Sequence, residues 1–173
     1  MAGRREGVGG ETVKKLVLIM RGIPGSGKST WIKNNYPEAE VFSADHYFIV
    51  NGIYVFDKDK IQEAHKKCFS LFLMRTQCLD EAGDIVYGDD KDFILAIDNT
   101  GLRNWEISPY VSLASTYGYE VKVVRLNTPP MVAASRNIHG VPPSTVNRMA
   151  KSIESSLPWW NEEVVEYKES DSE

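Results

Sequence analysis

The stretch Gly22-Ile23-Pro24-Gly25-Ser26-Gly27-Lys28-Ser29-Thr30 decides how the rest of the 173-residue chain is read. Its spacing is G-x-x-x-x-G-K-[ST]. It follows a mostly apolar run of strand length, Leu16-Val17-Leu18-Ile19-Met20-Arg21, and leads into a polar, helix-compatible segment ending at Tyr36-Pro37. Strand, glycine-rich turn and helix in that order are the context a phosphate-binding loop requires. Glycines let such a loop fold back so that successive backbone amides point inward, at a helix end that already favours anions. Gly22, Pro24, Gly25, Ser26, Gly27, Lys28, Ser29 and Thr30 are therefore expected to bind the phosphates of a nucleotide. Within that set Lys28 reaches the β and γ phosphates, and Ser29 holds Mg²⁺.

Outward from this loop, strands alternate with helical patterns. Residues 39–43 (Ala-Glu-Val-Phe-Ser) form a short strand ending in Ala44-Asp45-His46-Tyr47, and residues 48–56, with Asn51-Gly52 as a turn, form a hairpin-like excursion. Ile61, Ala64, Cys68, Leu71, Phe72 and Leu79 recur at helical spacing behind Asp57, a fitting N-cap. Lys58, Lys60, Lys66, Lys67 and Arg75 on that helix read as a solvated face. Residues 81–92 are acidic with two glycines, a surface loop. Residues 93–97 (Phe-Ile-Leu-Ala-Ile) are a continuous apolar run leading into Asp98-Asn99-Thr100, as in a strand buried on both faces. A helix follows over 103–117 with Gly118 closing it, then a strand over 120–126. Helices are expected over 131–137 and 144–156, the second with Ser144 as N-cap, and a short edge strand over 164–167.

This alternation specifies an α/β fold, a mostly parallel sheet of four to five strands flanked by helices, with ligands at the carboxyl ends of the strands. The length suits one domain over residues 15–167, with a flexible leader over 1–14 and an acidic tail over 168–173. A hydrophobic content of 42% and a charged content of 25% are those of a soluble, monomeric unit, and no apolar run reaches membrane-spanning length. The net charge of −4 opposes a protein that grips long duplex through its overall field. The leader lacks a secretory core, and Cys68 and Cys78 are too far apart along one helix to bridge, so an intracellular protein, cytoplasmic or nuclear, is expected.

A phosphate loop alone leaves kinase, hydrolase and switch open. No Asn-Lys-x-Asp stretch for reading guanine follows a late strand, which favours ATP. Transfer to an alcohol needs a carboxylate for its proton, and Asp45 lies at the same sheet edge as Lys28; it could equally cap the next helix. Asp98 ends a buried strand, from which it can reach Mg²⁺ through water or orient the acceptor, or merely form a turn with Asn99. Arg136, on a late helix, can stabilise transition-state charge or remain a surface arginine. His139, beside a Gly-Val-Pro turn and without a metal-ligand partner, reads as structural.

Gly-Ile-Pro-Gly-Ser-Gly-Lys-Ser-Thr-Trp, Ser-Ala-Asp-His-Tyr, Ile-Asp-Asn-Thr and Arg-Asn-Ile-His-Gly-Val, in this order, resemble the phage-type polynucleotide 5′-hydroxyl kinase domain. The same set is similar to the kinase-like domain of the myelin cyclic-nucleotide phosphodiesterases and to small eukaryotic relatives of a ubiquitin-ligase-binding protein with such a domain. The resemblance, over about residues 16–154, implies a P-loop NTPase of kinase type with a helical lid. It further implies transfer of the ATP γ-phosphate, with Mg²⁺, to a 5′-hydroxyl polynucleotide acceptor. It assigns Asp45 as general base, Asp98 as a second essential carboxylate beside the acceptor, and Arg136 as the lid arginine. Two positions depart from the family. Phe48 stands where an arginine engages an acceptor phosphate, and Gly140 where a second lid arginine falls one turn after the first. Arg148 or Arg103 could supply the missing charge, and Tyr47, Phe48, Tyr54 and Phe56 could stack on a terminal base or pack beneath the hairpin. The same residues also leave room for a small-molecule kinase, or for an ATP-binding module that transfers nothing and docks through Trp159-Trp160.

Overall fold

The computed structural model describes residues 14–77 and 93–168. Strand β1 (Lys15–Arg21) is buried from Leu16 onward. It lies at the centre of a five-stranded sheet whose order is β2 (Glu40–Phe42), β5 (Phe93–Ile97), β1, β6 (Glu120–Asn127) and β7 (Glu162–Glu166). All four pairings are parallel. Helix α1 (Lys28–Asn35) follows β1, α2 (Ile61–Thr76) precedes β5, and α3 (Asn104–Thr116) connects β5 to β6. Between β2 and α2 the antiparallel hairpin β3 (Ile49–Val50) and β4 (Ile53–Tyr54) projects from the sheet edge, turning at Asn51-Gly52 as the sequence suggests.

Period-two alternation splits β1 between two cores. Val17 and Ile19 face Phe42, Phe72, Leu95, Ile97 and Tyr110, beneath α2 and α3. Leu16, Leu18 and Met20 face Ile32, Ile94, Val124 and Leu126, beneath α1. Both faces of a parallel sheet are thus covered, which is why β1 and β5 read as unbroken apolar runs. A third cluster joins Ile23 of the phosphate loop to Leu102, Ala133 and Val146, and so seats the short helices α4 (Pro130–Arg136) and α5 (Pro143–Ala150) on the carboxyl edge of the sheet.

Helix α5 stops six residues short of the expected end at 156, and Pro142, not Ser144, occupies its N-cap position. The reason is Arg21. Its guanidinium is fully buried at the end of β1 and is met by the carbonyls of Gly101 (2.8 Å), Leu102 (3.2 Å) and Glu154 (2.9 Å), by Ser156 Oγ (2.6 Å) and by Glu162 (3.5 Å). Carbonyls at 154 and side chains at 156 can reach this cation only if the helix unwinds after Ala150. Burial lowers the Arg21 pKa, with the Glu162 carboxylate opposing the shift and Arg125 adding to it; the guanidinium nonetheless stays charged. Asp57 caps a single 3₁₀ turn (Lys58–Lys60) that opens into α2, and α2 is described as far as Thr76, so Leu79 lies outside the described residues. Cys68 is buried and free. Cys78, the acidic stretch 81–92, most of the leader and the end of the tail also lie outside the described residues. Trp159 and Trp160 divide, the first 76% exposed and the second packed against the core. Among the described residues no helix is long and apolar enough to cross a membrane.

Candidate active site

The carboxyl ends of β1, β2 and β5 bring the polar residues together. The phosphate loop leaves β1 with Gly22 N donating to Thr100 O (2.8 Å), and Thr128 Oγ1 donates to Ser26 O (2.9 Å) from beyond β6, so the loop is pinned by both neighbours of its strand. Gly25 adopts φ +78, and a Cβ there would stand 2.0 Å from the Ala133 carbonyl oxygen, so the loop touches the backbone of α4. Ser26 is 4% exposed, and among the described residues its hydroxyl has no hydrogen-bond partner. An orphaned buried hydroxyl inside a glycine loop at a helix start fits a phosphate cradle, because a buried polar atom of this kind needs a partner.

Lys28 curls back over the loop and donates to the carbonyls of Gly22 (3.1 Å) and Ile23 (3.2 Å). Its pKa is lowered by desolvation, while the carboxylates of Asp98 and Asp45 pull it the other way. The ammonium is therefore partly desolvated with two carboxylates in electrostatic reach, and arriving phosphate oxygens would improve its surroundings. Ser29 Oγ donates to Asp98 Oδ2 at 2.5 Å. One hydroxyl and one carboxylate side by side at a helix start form a hard-oxygen pair, a donor set that suits Mg²⁺ bound mainly through phosphates and water. Asp98 does not spend its carboxylate on a turn with Asn99. The Asn99 side chain instead accepts from Ala44 N (2.9 Å) and donates to Cys68 Sγ (3.6 Å).

Asp45 lies in a 3₁₀ turn (Ala44–Phe48) directly after β2. Capping of that turn falls to Ser43, whose Oγ accepts from Asp45 N (3.2 Å) and donates to Asp98 O (2.9 Å). The Asp45 carboxylate is left about half exposed. Tyr54 OH donates to its Oδ1 at 3.0 Å, and His139 Nε2 stands 3.8 Å from its Oδ2. His139 is thus drawn to the site, contrary to its reading as a structural histidine. The sequence gives Tyr54 no more than a stacking or packing role, and His139 lies in the Arg-Asn-Ile-His-Gly-Val stretch without a role there, since both reach Asp45 by tertiary contact, from the hairpin and from the turn after α4.

Arg136 lies at the end of α4, with its guanidinium carbon 5.3 Å from the centre of the Tyr167 ring. Beside that stack a cleft of about 280 Å³ opens, lined by Ile23, Thr128, Pro129, Ile153, Glu166 and Tyr167 among others. Phe48, in the place of the family's acceptor arginine, is 5% exposed and packs on Tyr47, Tyr54 and Phe56; of these four only Phe56 is freely exposed. Arg103 pairs with Glu154 (3.1 Å) at the start of α3. Gly140 has φ +68, a backbone state that an arginine side chain would strain.

The family model described as "AAA domain" matches residues 17–139, from the buried part of β1 through the phosphate loop to His139. The chain belongs to this AAA domain family. Human NEDD4-binding protein 2 is 34% identical over 141 residues, which is 78% of this chain and 7% of that protein, so the chain spans a small part of the relative's length. Among solved structures, Chaetomium thermophilum Kti12 in complex with ADP-AlF3 superposes with a TM-score of 0.54 at 12% identity, over 91% of each chain. The Pnkp1/Rnl/Hen1 RNA repair complex has a chain that matches with a TM-score of 0.55 at 13% identity, over 83% of this chain and 45% of that one. The AAA domain here has the P-loop kinase-like fold.

Proposed function

We propose that the protein is an ATP-dependent phosphotransferase that passes the γ-phosphate to a 5′-hydroxyl end of RNA or DNA. The observation that carries this reading is the meeting at one sheet edge of a lysine-bearing phosphate cradle, the Ser29–Asp98 oxygen pair and the half-exposed carboxylate of Asp45. The triphosphate lies along residues 22–30, and the base takes the cleft beside the Arg136–Tyr167 pair, where Ile23, Pro129, Ile153 and Tyr167 offer apolar surface and Thr128 and Glu166 polar groups. Mg²⁺, when bound at Ser29 and Asp98, neutralises charge on the β and γ oxygens.

Asp45 accepts the hydroxyl proton of the acceptor as its oxygen bonds to the γ-phosphorus, while the bond to the β–γ bridging oxygen breaks and ADP leaves. Lys28 stabilises the charge that gathers on the transferred group. Arg136 can turn from Tyr167 toward the same group, as the phage-type resemblance implies. The polynucleotide assignment is supported by that resemblance and by the fold's occurrence in a complex named for RNA repair. A small uncharged alcohol is the alternative acceptor, favoured by the buried Phe48 in place of a phosphate-gripping arginine.

The deciding experiment follows label from Mg-[γ-³²P]ATP into 5′-hydroxyl RNA and DNA oligonucleotides, with a panel of sugars and nucleosides in parallel. Label at the 5′ end, reduced about 10²- to 10⁴-fold by Asp45→Asn, is the expected result. Label confined to a small alcohol would replace the polynucleotide reading. ATP binding without transfer to any acceptor would reject catalysis.

A further inference from the structure

Tyr54 and His139, neither of them given a catalytic role by the sequence, approach the two oxygens of the Asp45 carboxylate. Tyr54 comes from the hairpin. Its phenol donates to Oδ1 at 3.0 Å, and its ring rests on buried Phe48 with centroids 6.1 Å apart. His139 comes from the segment that follows α4. Its Nε2 lies 3.8 Å from Oδ2, and its imidazole packs on the Tyr54 ring with centroids 4.8 Å apart. Carboxylate, phenol and imidazole form one contiguous cluster assembled from three separate stretches of chain.

Both arms are built locally. Asn137 closes the lid turn by itself, its Oδ1 accepting from His139 N (3.0 Å) and its Nδ2 donating to Val141 O (2.9 Å), while Gly140 supplies the left-handed residue. The neighbouring Ile138 is 89% exposed, so the turn presents the imidazole to Asp45 and the aliphatic side chain to solvent. On the other arm, the hairpin register pairs Tyr54 with Ile49 directly after the turn that carries Asp45. Ser43 caps that turn, and among the described residues the hydrogen bond to the Asp45 carboxylate comes from a side chain, Tyr54, and not from the backbone. A half-exposed carboxylate would otherwise sample several orientations, and a proton acceptor displaced by an ångström loses much of its effect.

We propose that Tyr54 and His139 are positioning residues for Asp45, Tyr54 locking Oδ1 from the hairpin and His139 tying Oδ2 to the lid until the acceptor hydroxyl takes its place. This rests on the reading of Asp45 as the base. Oδ2 is then the oxygen that receives the proton, and the lid turn must release it when the acceptor enters. The lid is thereby linked to the acceptor as well as to the nucleotide.

Tyr54→Phe keeps the ring contacts and removes only the hydroxyl. With Mg-ATP and a 5′-hydroxyl RNA 12-mer, kcat should fall about tenfold while KM for ATP stays within about twofold. His139→Ala should lower kcat about threefold and also lower KM for the RNA, because the acceptor no longer displaces a side chain, and His139→Gln should restore part of both. A merely structural role would not divide the constants in this way. A readout independent of transfer is the phenol itself. Burial, the Asp45 charge and the hydrogen bond push Tyr54 up to about 12. In ¹³Cζ-tyrosine-labelled protein the fraction of Tyr54 ionised at pH 11 should therefore rise on Asp45→Asn. Unchanged kcat in Tyr54→Phe, or an unchanged phenol titration in Asp45→Asn, overturns the proposal. Full activity in Asp45→Asn instead overturns the assignment of the base. If the wild type labels no RNA, the functional reading fails and the phenol titration alone decides the pairing.

Discussion

On the proposed donor side of the cleft the groups offered to phosphate are a glycine-rich backbone and a lysine held by two carbonyls of its own loop, all within nine consecutive residues. On the proposed acceptor side the corresponding groups are side chains from a 3₁₀ turn, a hairpin and the turn after α4, which are far apart in sequence. The phosphate loop buries Gly22, Ile23 and Ser26 and rests on α4 at Gly25, whereas the hairpin and the residues after it leave Ile49, Val50, Ile53, Val55 and Phe56 half or more exposed. Backbone amides recognise a phosphate whatever surrounds it, so one loop serves many enzymes. An acceptor must be recognised by shape and chemistry, and variable loops are where that recognition resides.

The contrast sharpens at the two cations that bracket the phosphate loop. Lys28→Met should lower phosphoryl transfer about 10³-fold, the largest effect expected, because it removes a preorganised charge at the transferred group. Its melting temperature should hold or rise. Burial depresses the pKa of both cations, but Lys28 is met by two carbonyls where Arg21 is met by three carbonyls, a hydroxyl and a carboxylate, so at Lys28 an apolar isostere relieves more desolvation cost than it forfeits in contacts. Arg21→Met should do the reverse. It removes the cation shared by three carbonyls, Ser156 Oγ and Glu162 and leaves the Gly101 and Glu154 carbonyls unmatched, at a cost of about 3 kcal/mol or roughly a 10 °C fall in melting temperature, with transfer at low temperature within a few-fold of wild type. Thermal melts paired with transfer rates would test both. A lysine variant that melts early, or an arginine variant that is stable yet inactive, would exchange the roles assigned to the two residues.

The same division explains what could be read in advance. The phosphate loop, the strand–helix alternation and the parallel sheet all follow from local spacing, because each strand and its loop are contiguous and their apolar periods are plain. The hairpin, too, announced itself in Asn51-Gly52. Helix α5 was overextended because the side chains of 144–156 are compatible with helix, while the pull that unwinds the chain after Ala150 comes from Arg21, more than 130 positions away. The cluster around Asp45 was half legible. Asp45 follows a strand in a recognisable stretch, but Tyr54 reads as a stacking or packing ring and His139 as a turn residue, since a contact between unrelated segments leaves no period in the sequence.

Gly25 and Gly27 offer a narrower test of how the donor side depends on the lid. Both take left-handed φ values, +78 and +94. A methyl at Gly27 meets nothing within 4 Å, whereas at Gly25 it falls 2.0 Å from the Ala133 oxygen and 3.1 Å from Asn137 N. Gly27→Ala should therefore incur only the backbone penalty, about 1 to 2 kcal/mol. Gly25→Ala adds overpacking against α4 of about 1 to 3 kcal/mol more. The extra cost at Gly25 has a direction. The collision lies on Ala133 within α4, and the turn that carries His139 follows directly from that helix, so relief by outward movement of α4 carries His139 away from Asp45. Chemical denaturation should rank the two variants. Tyr54 in the Gly25→Ala protein should lose its ring contact with His139, seen as a chemical-shift change absent from Gly27→Ala. Equal destabilisation with no change at Tyr54 would mean that the loop absorbs the methyl by itself and that the lid and the phosphate cradle move independently.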